Sequence, residues 1–156
     1  MKKLFIFTLL TFSFLFVLAS CGTSKELPVQ NLSTKTIQTG NLFGAGDEGF
    51  RQEVKEIKSI DDWHDLVKKL GQVNVFETDF DAHSFGFEHK TLYFCTDKVR
   101  STNGYSLSVS NGEMKNNTVL IHIHILSPQE MAAEVLTQPY VLFSMEKQEK
   151  VEFVFE

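Results

Sequence analysis

Thr118-Val119-Leu120-Ile121-His122-Ile123-His124-Ile125-Leu126 is the stretch on which the reading of this chain rests. Val119, Ile121, Ile123 and Ile125 recur at every second position, the period of a β-strand with one face buried. The β-branched residues suit a pleated, half-buried surface. His122 and His124 take the alternate positions and share the opposite face.

The same period extends outward in both directions. Leu92 and Phe94, then Leu107 and Val109, alternate with their neighbours, as do Val141 and Phe143 and finally Val151, Phe153 and Phe155. Asn111-Gly112 and Asn116-Asn117 are turn signals between these runs. Ser106–Ser110 and Thr118–Leu126 read as neighbouring strands of a hairpin with a longer loop. Upstream, Val54 and Ile57 mark a first strand. Between them and the later strands, Trp63, Leu66, Val67 and Leu70 repeat at helical spacing. Ser59 or Asp61 can cap that helix and Gly71 ends it, with acids in its first turn and lysines in its last. The pattern predicts a mainly β (α+β) fold: an antiparallel β-sandwich or curved sheet with one packed helix at about 61–70.

The other end of the sequence reads differently. Met1-Lys2-Lys3 precedes an uncharged stretch, Leu4 to Leu18, rich in Leu and Phe, which ends in Leu18-Ala19-Ser20-Cys21. A positive start, a short apolar stretch and small residues before a cut site mark a secretory signal. The stretch is shorter than the ~20 apolar residues a membrane-spanning helix needs. Leu-Ala-Ser-Cys resembles the bacterial lipobox, which implies cleavage before Cys21 and attachment of acyl chains such as palmitate to its sulfur. Each buried CH₂ of such a chain contributes about 0.8 kcal/mol, so two or three chains anchor firmly. Residue 22 is Gly rather than Asp, which by the sorting rule for such lipoproteins points to the outer rather than the inner membrane of the cell envelope. Lys25-Glu26 partly matches the short charged signals that send some lipoproteins to the cell surface. The chain thus divides into a signal peptide over 1–20, a flexible tether over 21–48, rich in Gly, Ser, Thr, Asn and Gln, and a single globular domain over 49–156.

Without residues 1–20 the chain keeps thirteen basic against twenty acidic residues, a formal charge of −7. That balance argues against nucleic acid, whose binding relies on Lys and Arg neutralising phosphates. With Cys21 acylated, Cys95 is the one remaining thiol, so no internal disulfide can form. Its setting, Leu92-Tyr93-Phe94-Cys95, predicts a buried packing residue.

Chemistry-bearing constellations are sparse. His122 and His124 could reach one metal from one strand face, but no further ligand stands at motif spacing and a zinc site needs three or four. Asp79 and Asp81 flank Phe80 and would share a face if strand-borne; nothing near them predicts a raised pKa. No Gly-x-Ser-x-Gly elbow and no phosphate-cradling loop are present. The expectation is a chain that is not an enzyme and needs no cofactor. Two loops remain as candidate partner-binding segments. Asn103-Gly104-Tyr105 and Gln138-Pro139-Tyr140 each place a Tyr beside a strand, and Tyr is a residue type favoured at interfaces.

These loops carry a family resemblance. Asn103-Gly104-Tyr105-Ser106-Leu107, Ile121–Ser127-Pro128, Thr137-Gln138-Pro139-Tyr140, Lys147 and Val151-Glu152-Phe153 occur in the order found in the C-terminal domain of PrcB-like proteins. The resemblance covers about residues 90–155. Upstream, Asn41–Gly49, the Trp63 helix and Asp79-Phe80 resemble the N-terminal part of lipoproteins that carry this domain. The family takes its name from a lipoprotein subunit that helps stabilise and assemble a surface protease complex. The resemblance therefore implies a non-catalytic, membrane-anchored protein-binding module with an envelope partner, a protease among the candidates. Family members often have a second Gly where this chain has Asn103. The alternative is a chagasin-like cysteine-protease inhibitor, whose Thr-Gly-Tyr and Arg-Pro-Trp loops are similar in order to Asn103-Gly104-Tyr105 and Gln138-Pro139-Tyr140. The Gly-rich middle loop of those inhibitors is missing here.

Overall fold

A computed structural model describes residues 31–129 and 131–156. Residues 1–20, expected to be a signal peptide, and the expectations placed on Cys21, Gly22 and Lys25-Glu26 lie outside the described residues. Within them the elements are β1 Asn31–Leu32, β2 Thr34–Leu42, β3 Glu53–Ile57, α1 Ile60–Leu70, β4 Lys90–Thr96, β5 Ser106–Val109, β6 Gly112–Lys115, β7 Thr118–Leu126, β8 Gln138–Glu146 and β9 Val151–Phe155.

Two sheets pack face to face, and α1 covers the outside of one of them. The first sheet is antiparallel, in the order β2-β8-β4-β3. In the second, β7 is central. β5 pairs with its Val109-facing half and β6 with its start, both along one side. β9 takes the other side and β1 joins β6.

Burial explains why β4 and β8 are nearly continuous apolar runs rather than alternating ones. Leu92, Phe94, Tyr140 and Leu142 face the helix side, packed with Trp63, Leu66 and Leu70. Tyr93, Cys95, Val141, Phe143 and Met145 face the other sheet, packed with Leu107, Val119, Ile121 and Ile123. A strand covered on both faces has no solvent side to populate with polar residues. Cys95 is fully buried, and burial pushes its thiol pKa far up, which makes it inert packing rather than a nucleophile. The Tyr93 hydroxyl is likewise pushed up to about 12, first by burial and then by the nearby Glu56 carboxylate.

The helix forms where its pattern places it. Ser59 is the N-cap, its Oγ accepting from the Asp62 N–H at 3.1 Å, while the Asp62 carboxylate accepts from the Lys58 N–H at 2.9 Å. Hydrogen bonds to the Asp62 carboxyl, led by the one from the Lys58 N–H and followed by those from Ser59, hold it below its ordinary value.

Three expectations are corrected. A flexible tether reaching residue 48 is overturned for residues 31–48: β1 and β2 are paired strands, so the folded unit begins before residue 49. Their polar residues concealed this. β2 is an edge strand, where Thr, Lys and Gln suffice outside and only Leu42, with Ile37 half-buried, reaches the core. The Ser106–Ser110 and Thr118–Leu126 strands are neighbours, but β6 rather than a loop links them. Asn111-Gly112 is not the turn: residues 110–112 oppose only 121–122, a bulge that lets β5 and β6 follow one side of β7. The two-residue turn is Asn116-Asn117, both at positive φ (50° and 62°). Finally, β9 runs parallel to β7, not antiparallel, because β8 crosses to the other sheet and the chain returns in the starting direction.

Candidate functional site

The strand directions place several loops at one end of the sandwich. β2 finishes there at Leu42, paired with Gln138 at the start of β8, and β4 ends there at Thr96, paired with Tyr140. β7 also finishes there, with Leu126 paired to Ser106 at the start of β5. The loops over 43–52, 71–76, 97–105 and 127–137 therefore meet.

Their contacts are a network of polar groups under an apolar rim. Asp97, fully buried, accepts from Arg100 through both Nε and Nη2 and from Gln52 Nε2 at 2.9 Å. The guanidinium of Arg100 lies 4.5 Å above the Tyr105 ring, fixing the tyrosine's position. Asn103 and Ala133 clamp two of the loops: Asn103 N–H donates to the Ala133 carbonyl at 3.1 Å, and Ala133 N–H donates to Asn103 Oδ1 at 3.0 Å. Thr137 Oγ1 donates to the Thr102 carbonyl at 3.1 Å. At Gly104, φ is +84° and an added Cβ would sit 2.8 Å from Pro128, so close approach explains the glycine.

On the helix side of this end, residues 44–49 fold around the buried Glu48 carboxylate. It accepts from the Gly44 N–H at 2.8 Å and from Asn74 Nδ2. Burial is the largest single influence on its pKa and pushes it up. The Asn74 amide and the backbone N–H groups of Glu48, Gly44 and Gly46 together outweigh that and hold it below the ordinary value. Asn74 Oδ1 also accepts from the Phe43 N–H at 2.9 Å, which ties this loop to the one after α1.

This end also presents large apolar side chains to solvent among its exposed polar residues. Among the described residues eight large hydrophobics are exposed, and seven lie here: Phe43, Val73, Val75, Leu126, Met131, Val135 and Leu136. The eighth, Val154, is on β9. Phe43 is 66% and Val75 88% exposed, and Met131 is fully so, values far outside a folding role.

The candidate residues divide accordingly. Asn103 and Gly104 are exposed at this end and Tyr105 is half-buried beside them. Gln138, Pro139 and Tyr140 are corrected as contact residues: all three are buried in β8. Gln138 Nε2 donates to the carbonyls of Phe50 and Asp97 at 3.2 and 2.8 Å, and the Tyr140 hydroxyl accepts from Gln38 Nε2 at 2.8 Å. Burial pushes the Tyr140 pKa up. The Gln138-Pro139-Tyr140 likeness to an inhibitor loop therefore falls on a strand between two layers, not on a projecting loop.

His122 and His124 lie on the outer face of the second sheet, their Nδ1 atoms 3.2 and 3.1 Å from Glu156 Oε1. Among the described residues no group of three or more His, Cys, Asp or Glu side chains is arranged to hold a metal ion. Asp79 and Asp81 are in a loop, not on a strand. A hydrogen bond from the Ser84 side chain, with the His83 N–H next, holds the Asp81 carboxyl below its ordinary value, the opposite of a catalytic acid. Sequence reasoning missed Asp97, Arg100, Glu48 and Asn74, and it missed the exposed rim. The available signal was Met131 with Val135-Leu136, apolar residues without a period inside a connecting stretch.

The family model described as PrcB C-terminal matches residues 93–146, from within β4 to the end of β8. The chain is PrcB-like on that segment, which contributes the 97–105 and 127–137 loops. No curated protein and no solved structure matches it.

Proposed function

We propose that this PrcB-like chain is a lipid-anchored envelope lipoprotein whose folded part is a non-catalytic protein-binding module, stabilising or assembling an exported partner through its loop end. The observation that carries this reading is the concentration of seven of eight exposed large hydrophobics on that end, over a polar network that holds the loops in place. Large exposed apolar side chains gathered on one end of a fold are a mark of association sites. A buried charged network beneath it fixes the shape presented to a partner, so fewer loops must be ordered on binding.

The anchor is compatible with this geometry. Asn31 pairs with Glu113, which pairs with Leu120, so the chain enters the fold well away from Leu126, by about 20 Å along β7. With Cys21 acylated, the loop end would point away from the anchored side, toward other envelope proteins. A protease is the partner class the resemblance implies.

The test is site-specific photo-crosslinking of the full chain in its own envelope. A photoreactive residue at Met131 or Leu136 should give a discrete partner adduct, and one at Ser108 or Glu152 should not. Adducts of equal yield at all four positions would remove the reading. Anchoring is tested separately by Cys21→Ser, which should release the protein from the membrane fraction; retention would refute the lipid anchor.

A further inference from the structure

Two Asn-Gly pairs, Asn103-Gly104 and Asn111-Gly112, occur a few residues apart, and the fold treats them in opposite ways. We propose that Asn103 is a site of spontaneous covalent modification, closing to a succinimide with Gly104 and opening to aspartate and isoaspartate, while Asn111 is protected. In this reaction the Gly104 backbone nitrogen attacks Asn103 Cγ. The new N–Cγ bond forms as the Cγ–Nδ2 bond breaks, and ammonia leaves with the proton from the Gly104 nitrogen. Water then opens either imide carbonyl. No reagent but water is needed, and the inference does not depend on the partner-binding reading.

The difference between the two pairs is structural. Asn103 and Gly104 are both exposed and belong to no strand. Among the described residues no acceptor takes the Gly104 N–H. Gly104 carries no side chain to block the approach, and its neighbour's carbonyl is polarised because Asn103 Oδ1 accepts from the Ala133 N–H at 3.0 Å. Gly112, by contrast, is buried in β6 and paired with Leu32 of β1. A Cβ there would lie 2.6 Å from a Val119 methyl, so the backbone has no room to swing its nitrogen toward Asn111.

The consequence is local. Isoaspartate lengthens the main chain by one carbon at the point where two hydrogen bonds clamp Asn103 to Ala133. The clamp opens, and the 127–137 loop loses its tie to the Arg100–Tyr105 segment.

The experiment incubates the full chain, folded, in mildly alkaline buffer and follows the mass gain of amide-to-acid conversion by fragment spectra. These spectra are required because Ser101–Lys115, one tryptic peptide, holds both sites. A parallel sample in concentrated urea reports the intrinsic chemistry. The expected result is conversion of both sites in urea but of Asn103 alone in the folded chain, with isoaspartyl methyltransferase labelling of the product. Loss of hydrogen-exchange protection at the Ala133 amide should accompany it. Folded-state conversion of Asn111 at a comparable rate, an unreacted Asn103, or an Ala133 amide still protected after conversion would each overturn the proposal. Asn103→Gln, which keeps the acceptor but reacts far more slowly, should preserve the Ala133 protection.

Discussion

At the scale of single residues the buried polar groups give the sharpest tests. Glu48 has a folded-state pKa below its ordinary value of 4.5. Its contribution to stability is therefore present above about pH 4.5 and is lost as pH falls through the lowered folded value. Glu48→Gln should remove part of the acid limb of a denaturant-midpoint versus pH curve. At neutral pH it should cost about 1–3 kcal/mol, because the backbone N–H groups around it lose a charged acceptor. Parallel curves for wild type and variant would contradict this. Tyr140 behaves as a core residue. Tyr140→Phe should cost about 1 kcal/mol through the lost bond to Gln38, and Tyr140→Ala about 3–5 kcal/mol through the cavity, in equilibrium unfolding. Tyr140 was legible as an aromatic beside a Pro, but its role was not. Whether such a residue faces solvent depends on α1 packing over β8, which local sequence does not encode.

At the scale of elements, the helix and the hairpin turn are the parts where local chemistry decides. Ser59→Ala should cost about 1 kcal/mol, the usual loss of an N-cap, read as a lower unfolding midpoint. Asn117→Gly should raise the midpoint, since Gly relieves the left-handed φ of 62° at that position; a lower midpoint would show that the Asn side chain supports the turn. These same elements were the legible ones. The periods of two in β5 and β7 and of 3.6 in α1 come from one-faced burial, and each appeared where the spacing put it. β2 was not legible, because an edge strand in a two-sheet fold needs few apolar residues. β6 was not either: with Met114 as its single large apolar residue, its four residues carry no period. The parallel pairing of β9 is set by the crossover of β8 between sheets, a long-range choice invisible in Val151–Phe155.

At the scale of the whole molecule, the proposed binding surface exists only once the fold assembles it. Phe43, Val73, Leu126 and Met131 are far apart in sequence and share no motif, so their gathering on one end could not be read from the chain. Asn103 and Gly104 lie exposed at the proposed binding end, while Gln138 and Pro139 are buried in β8. The matched family segment supplies two of the loops, and β2 with the α1 connection supplies the rest. The central claim is that this end binds a protein partner. The measurement that tests it most directly is photo-crosslinking from Met131 in the native envelope, in the wild-type background and with Phe43, Val135 and Leu136 all changed to Ser. A single discrete adduct in the first and its loss in the second, at an unchanged thermal midpoint, is the predicted result. An adduct that persists at equal yield after those three substitutions would contradict the claim.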